Sequence, residues 1–327
     1  MRTKIFGTFG PACDSEEILE RMIEAGMTGM RLNLSHTTLI ESKEMVDRYR
    51  RIARNLGVEP DILIDVQGPE LRVGKIKEIL HLENDTMISI GGEMLPVQEE
   101  VLAAIEVGDE ILLDDGKILV QVMEKNPSTN EVVAQVLRGG KLQSYKSIKI
   151  VGKSIDLPAL TTHDMANICV AKEYGVTALM QPFVSSGTQL KEVRSALEKN
   201  GAENVKIFAK IENQCGISNL EDILPEADVI VIARGDLGND MPLWELPAVQ
   251  KKIETECHKA NKPYIVVTQM LASMEKNPVP TRAEVSDIFH AVYHGAWGVM
   301  LTGETAVGAY PVESIRYLVN TAREAEE

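Results

Sequence analysis

The chain has little cysteine. Its 327 residues include four, Cys13, Cys169, Cys215 and Cys257, far apart and with no Cys-x-x-Cys pair. That spacing argues against a disulfide framework or a zinc site and points to reduced thiols. It also lacks a basic excess. Lys and Arg total 34 against 49 Asp and Glu, a formal charge of −15. Sequence-independent binding to nucleic acid or to an anionic membrane is therefore not expected. Small anionic substrates stay open, because a local Lys/Arg cluster with a metal ion can hold phosphate inside an acidic protein. No run approaches 18 apolar residues, so no transmembrane helix is expected. The opening MRTKIFGTFGPAC has no signal-peptide core or cleavage site. A cytoplasmic protein is the resulting expectation.

What is present is a rhythm. Eight short apolar runs alternate with longer amphipathic segments: 4–10, 29–35, 61–67, 177–184, 205–212, 228–235, 263–270 and 297–304. The segment 15–26 shows the helical kind. Ser15 can cap it, Gly26 can stop it, and Leu19, Met22 and Ile23 fall on one face. The segment 245–261 reads the same way. Strands apolar on both faces, alternating with helices, imply a parallel sheet covered by helices. Eight βα units predict an α/β protein with a closed (β/α)8 barrel; an open doubly wound sheet is the alternative. Residues 70–150 break the rhythm with short β-like pieces and turn signals such as Gly91-Gly92 and Asp115-Gly116. They predict a small all-β domain inserted after the third strand, where it can serve as a lid. The expected domains are thus 1–69 and 151–327 for the barrel and 70–150 for the insertion.

Polar residues gather at the C-terminal ends of the runs, where barrels keep their chemistry. Arg31, Asn33 and Ser35 alternate with Leu32 and Leu34, and strand periodicity puts them on one side. Lys210 and Glu212 share a face opposite Ala209 and Ile211. Asp65 ends the third run, Arg234, Gly235 and Asp236 the sixth, Thr268 and Gln269 the seventh, and Thr302, Gly303 and Glu304 the eighth. Two carboxylates on neighbouring strands suit Mg²⁺. With fixed cations beside them, they suit phosphoryl transfer, whose catalysis is mostly positioning and charge stabilisation. Taken singly, each feature also has an ordinary reading as an ion pair, a turn or a polar rim.

The stretches TFGPA (8–12), RLNLSH (31–36), AKIENQCG (209–216), ARGDLG (233–238), TQMLASM (268–274), NPVPTRAEVSD (277–287) and MLTGETAVGAYPVE (300–313) resemble the pyruvate kinase family, in its order and spacing. The resemblance implies transfer of a phosphoryl group from phosphoenolpyruvate to ADP. It implies Arg31 on substrate phosphate, Lys210 on the transferring group, and Thr268 beside the enolate carbon. It implies Glu212 and Asp236 as ligands of Mg²⁺ or Mn²⁺, with Gly235 and Asp236 donating backbone N–H groups to the substrate carboxylate. Asn33, Ser35, Asp65 and the backbone oxygen of Val66 match a K⁺ site. Asn33, Leu34, Ser35, His36, Arg72 and Lys146 match nucleotide contacts. Other readings are a catalytically silent metabolite-binding relative and a metal-dependent pyruvate lyase on the same barrel.

Some stretches depart from the family. Val66-Gln67 stands where the family has Thr-Lys, and Lys146-Ser147-Ile148-Lys149-Ile150-Val151-Gly152 has lost the family's flexible Gly and rigid Pro. No counterpart of the family's C-terminal domain follows 311–326, so a monomer or a homodimer through the barrel is expected.

Overall fold

Eight parallel strands close a barrel in sequential order: β1 (Lys4–Thr8), β2 (Gly29–Asn33), β3 (Asp61–Asp65), β4 (Ala178–Gln181), β5 (Lys206–Ile211), β6 (Val229–Ala233), β7 (Tyr264–Val267) and β8 (Gly298–Met300). Each lies inside one of the eight apolar runs. β1 closes the ring by pairing with both β2 and β8. This computed structural model describes residues 3–35, 37–114, 116–129, 131–153, 155 and 157–327.

Period-two alternation sorts the strand residues into two cores. Phe6, Leu63, Ala178, Met180, Phe208, Val229, Val231, Ala233, Ile265, Val267 and Met300 fill the barrel interior. Their neighbours Ile64, Ile207, Ala209, Ile230, Ile232 and Val266 face the helices. Phe6, Phe208 and Trp297 meet inside with ring centroids 6.1–6.5 Å apart. Trp297 directly precedes β8, so the aromatic plug lies toward the N-terminal ends of the strands. The same alternation that buries Phe208 inside brings Lys210 and Glu212 to the interior at the C-terminal end.

The helices form as their sequences direct. Helix Glu16–Glu24 starts where Ser15 Oγ accepts from the Ile18 N–H, and it buries Leu19, Met22 and Ile23. Each such burial contributes roughly 1.5–3 kcal/mol relative to exposure. The helix ends before Gly26, whose φ of 112° is left-handed. Helix Leu246–Lys259 packs on β6, and helix Pro311–Glu326 packs on β1. Among the described residues, no helix is long and apolar enough to cross a membrane.

The chain divides into two compact units, 1–68 with 158–327, and 69–157. The second holds a five-stranded antiparallel sheet in the order 148–150, 110–113, 118–125, 132–138, 87–90, and a two-stranded sheet of 80–82 with 140–142. Its core includes Val73, Ile88, Ile90, Ile111, Val120 and Val136. Two details differ from the sequence reading. The unit is not wholly β: a short helix, Glu99–Ala104, interrupts it. Lys125 Nζ donates to the Leu102 and Ile105 carbonyls and so satisfies that helix's end. The unit also runs past 150. Lys153 pairs with Asp109 at 2.9 Å and Ile155 packs on its core.

Candidate active site

At the C-terminal ends of β2, β3 and β5, four charged side chains converge. Arg31 donates from Nε to Asp65 Oδ2 at 2.8 Å, and its Nη2 stands 2.7 Å from the same oxygen. Arg31 Nη1 reaches Thr8 Oγ1 at 3.3 Å. Lys210 Nζ lies 3.3 Å from Asp65 Oδ2 and 3.0 Å from Glu212 Oε1. Glu212 Oε2 accepts from the Phe183 N–H at 2.8 Å. The Lys210 side chain is 13% exposed and that of Glu212 1%.

Burial and charge act against each other here. Burial pushes the Asp65 carboxyl upward, but Lys210 and Arg31 outweigh it and hold the group below its ordinary range. Burial disfavours the Lys210 ammonium, yet Asp65 and Glu212 raise its proton affinity well above the ordinary value. Glu212 is the exception. Burial pushes its carboxyl up to about 7, Lys210 opposes that, and the Asp236 charge adds to it. Asp236, on the short helix Arg234–Asn239 after β6, thus lies within electrostatic reach of both Lys210 and Glu212.

Thr268 follows β7 with φ 71°, and Gln269 has φ 54°. A left-handed β-branched residue costs roughly 1–3 kcal/mol and persists only where its neighbours hold it. They do so here. The Gly235 N–H donates to Thr268 Oγ1 at 2.8 Å, and that hydroxyl donates to the Val267 carbonyl at 2.6 Å. Arg234 Nη2 donates to the Thr268 carbonyl at 2.8 Å while Nη1 pairs with Asp287 at 2.6 Å. Beyond the turn, buried Glu304 accepts from the Leu271 and Thr302 N–H groups. The Gly235 N–H, expected on a substrate carboxylate, is engaged by Thr268 in this arrangement.

The remaining expected residues divide. Asn33 Oδ1 accepts from the Ser35 N–H at 3.2 Å. The Leu34 side chain is buried in the core, so only its backbone is on offer; its N–H donates to the Asp65 carbonyl and its carbonyl accepts from His163. The Val66 side chain is buried too, and its N–H donates to the Met180 carbonyl. His36 lies outside the described residues. Arg72 and Lys146 belong to the second unit, on adjacent segments: the Val73 N–H donates to the Lys146 carbonyl. There Arg72 pairs with Glu70 at 2.5 Å and Lys146 with Asp114 at 3.0 Å.

The family model for the pyruvate kinase barrel domain matches residues 1–315. The chain belongs to the pyruvate kinase family. It is 39% identical over 334 residues to a pyruvate kinase of Sporosarcina psychrophila, covering 99% of this chain and 57% of that protein. A pyruvate kinase of Staphylococcus aureus strain MRSA252 is 40% identical with the same coverage, and one from Bacillus licheniformis 38% over 341 residues. The chain thus spans 57% of the length of these pyruvate kinases.

Sequence reasoning missed Thr8 and the Phe183 N–H as parts of this pyruvate kinase family site. Thr8 was findable, since it lies in the first run and ends β1 in register with Arg31. Phe183 acts through its backbone and has φ 50°, which its identity does not announce.

Proposed function

We propose that the chain transfers the phosphoryl group of phosphoenolpyruvate to ADP, giving pyruvate and ATP. The observation that carries this reading is the convergence of two fixed cations, Arg31 and Lys210, with Glu212 and Asp236 at one end of a barrel of this family. Arg31 is held by Asp65 with its guanidinium edge toward Thr8, a rigid fork suited to phosphate. Lys210 is a buried ammonium with no freedom to reorient at the moment of reaction, which is the condition for stabilising charge that develops on a moving phosphoryl group. Thr268 presents a hydroxyl fixed by Gly235 and Val267, placed to hold a proton beside the carbon of an enolate.

Glu212 and Asp236 are the residues that would hold Mg²⁺ or Mn²⁺. Their chemistry fits such an ion: Glu212 is a buried carboxyl whose proton affinity rises in part because Asp236 repels its charge, and a divalent cation relieves both. No three His, Cys, Asp or Glu among the described residues are arranged to enclose a metal, and Mg²⁺ requires only one or two carboxylates. When bound, the ion supplies positive charge to substrate oxygens. Asn33, Ser35, Asp65 and the Val66 carbonyl are hard oxygen donors of the kind K⁺ takes. Asp65 is at present shared between Arg31 and Lys210. Arg72 and Lys146 serve the nucleotide.

The test is a coupled assay for pyruvate from phosphoenolpyruvate, with and without ADP, in K⁺ and in a bulky organic cation. ADP-dependent pyruvate supports the reading. Pyruvate formed equally without ADP would mean that the phosphoryl group goes to water and would refute the transfer to ADP, and none at all favours a silent binder or a lyase acting on another substrate. Equal rates in the two cations would remove the K⁺ assignment alone.

A further inference from the structure

Residues 34–42 join β2 to helix Lys43–Asn55. The later part of this connection is tied within itself. Glu41 Oε2 accepts from the Thr38 N–H at 2.8 Å and from its hydroxyl at 3.0 Å, and Ser42 Oγ donates to the Thr38 carbonyl at 2.9 Å. The earlier part leans on another element of the barrel. Helix Thr162–Ala171 opens on a capping box between Thr161 and Asp164, which makes its first turn a firm support. His163 and Asn167, at i and i+4, share one face of that helix. His163 Nε2 stands 2.7 Å from the Leu34 carbonyl oxygen and 3.1 Å from that of Thr37. Asn167 Oδ1 accepts from the Leu39 N–H at 2.8 Å.

Carbonyl oxygens only accept, so Nε2 carries the hydrogen. One N–H shared between two carbonyls draws the backbone on either side of 35–36 toward a single point. Ser35 lies inside that bend, with its own N–H on Asn33 Oδ1 at 3.2 Å. The grip at Asn167 is made against a cost. This residue is 1% exposed, and its Nδ2 has no partner among the described residues. A buried donor left unpaired works against folding. Stability therefore does not account for an amide at 167, whereas its bond to Leu39 does.

We propose that His163 is a positioning residue for the candidate site: its Nε2–H clamps the carbonyls of Leu34 and Thr37 and so fixes the bend that carries Ser35, while Asn167 holds the following turn at Leu39. One consequence rests on the proposed function and on the nucleotide contacts expected of Asn33, Leu34 and Ser35: full affinity for ADP requires the clamp.

The experiment compares His163→Gln with His163→Asn. A glutamine amide can place its NH2 where the ring holds Nε2. An asparagine amide is one methylene shorter and reaches only the Nδ1 position. The first readout is the tautomer of His163 in the parent, from its ring-nitrogen NMR shifts, the signal being the one missing from His163→Gln. It should show the hydrogen on Nε2; a hydrogen on Nδ1 alone would overturn the clamp. The second is amide hydrogen exchange at Ser35 and Thr38 without nucleotide. Their N–H groups bond to Asn33 and Glu41 and not to His163, so a change reports the bend itself. His163→Asn should exchange at least about fivefold faster at both, and His163→Gln should match the parent within about twofold. Equal exchange in the parent and His163→Asn, or equal acceleration in both variants, would overturn the proposal. The tautomer and His163→Gln decide even where His163→Asn does not fold. The third readout is kinetic. The ADP KM of His163→Asn should rise at least about tenfold, as for one lost hydrogen bond, with the phosphoenolpyruvate KM unchanged. A matching rise in the phosphoenolpyruvate KM would mark a general disturbance and overturn the positioning role. If exchange separates the variants and the ADP KM does not move, the clamp stands and the nucleotide contacts of Asn33, Leu34 and Ser35 fall. If the parent makes no ADP-dependent pyruvate, the proposed function falls and exchange still decides the clamp.

Discussion

Replacing Glu212 by glutamine should stabilise the barrel and disarm it at once. The carboxyl is buried and its proton affinity is raised from an ordinary 4.5 to about 7. The folded state therefore binds a proton that the unfolded chain releases, so the native contribution is whole below pH 4.5 and is lost as pH rises to 7. At about 1.4 kcal/mol for each tenfold change in proton affinity, the loss totals roughly 3 kcal/mol, most of it between pH 5 and pH 8. The glutamine cannot ionise, keeps an oxygen for the Phe183 N–H, and leaves Lys210 with Asp65 as its partner. In EDTA, urea unfolding of Glu212→Gln should match the parent near pH 4.5 and exceed it by roughly 3 kcal/mol at pH 8. Tryptophan fluorescence follows the right unit, because Trp244 and Trp297 both belong to the barrel. Mg²⁺ should restore the parent at pH 8 and leave the variant unmoved. A difference that does not change with pH would show that Glu212 is not held against ionisation, and the charge argument for the site would fail with it.

Lys210→Met should lower kcat at least about a hundredfold, the loss typical of one preorganised charge stabiliser; near-normal turnover in a folded variant would take Lys210 out of the mechanism. Crystals soaked in Mn²⁺ with a phosphoenolpyruvate analogue should show anomalous density between Glu212 and Asp236, and density only elsewhere would refute that pair. Gly10→Ala should destabilise by roughly 1–3 kcal/mol through overpacking, because a Cβ at Gly10 runs into the Ala306 carbonyl; an unchanged melting temperature would mean that the helix Gly303–Ala306 yields freely.

The barrel was legible because its strands are buried on both faces, so their runs stand out even at three to six residues. The convergence of charged side chains was legible where they lie toward the C-terminal ends of such runs, as Arg31, Asp65 and Lys210 do. What the sequence hides is backbone conformation and long-range sharing. Nothing in Thr268-Gln269 announces two left-handed residues, since the arginine and glycine that hold Thr268 come from the short helix after β6. Thr161-x-x-Asp164 reads as a helix cap. That its carboxylate also serves Gln67, 97 positions earlier, depends on where β3 and β4 lie in the ring. The helix Glu99–Ala104 escaped because six residues are too few for a periodic signal.

The way the ring closes sets an order of assembly on the ribosome. β1 is finished only by β8, and Phe6 meets Trp297 only when the two ends of the barrel come together. The host thus waits for β8 to emerge, whereas its guest pairs neighbouring strands, 110–113 with 118–125 and 118–125 with 132–138. Local pairings form fast and distant ones slowly. The interrupting unit is therefore expected to mature first, a finished passenger carried by a nascent chain whose own fold is still open.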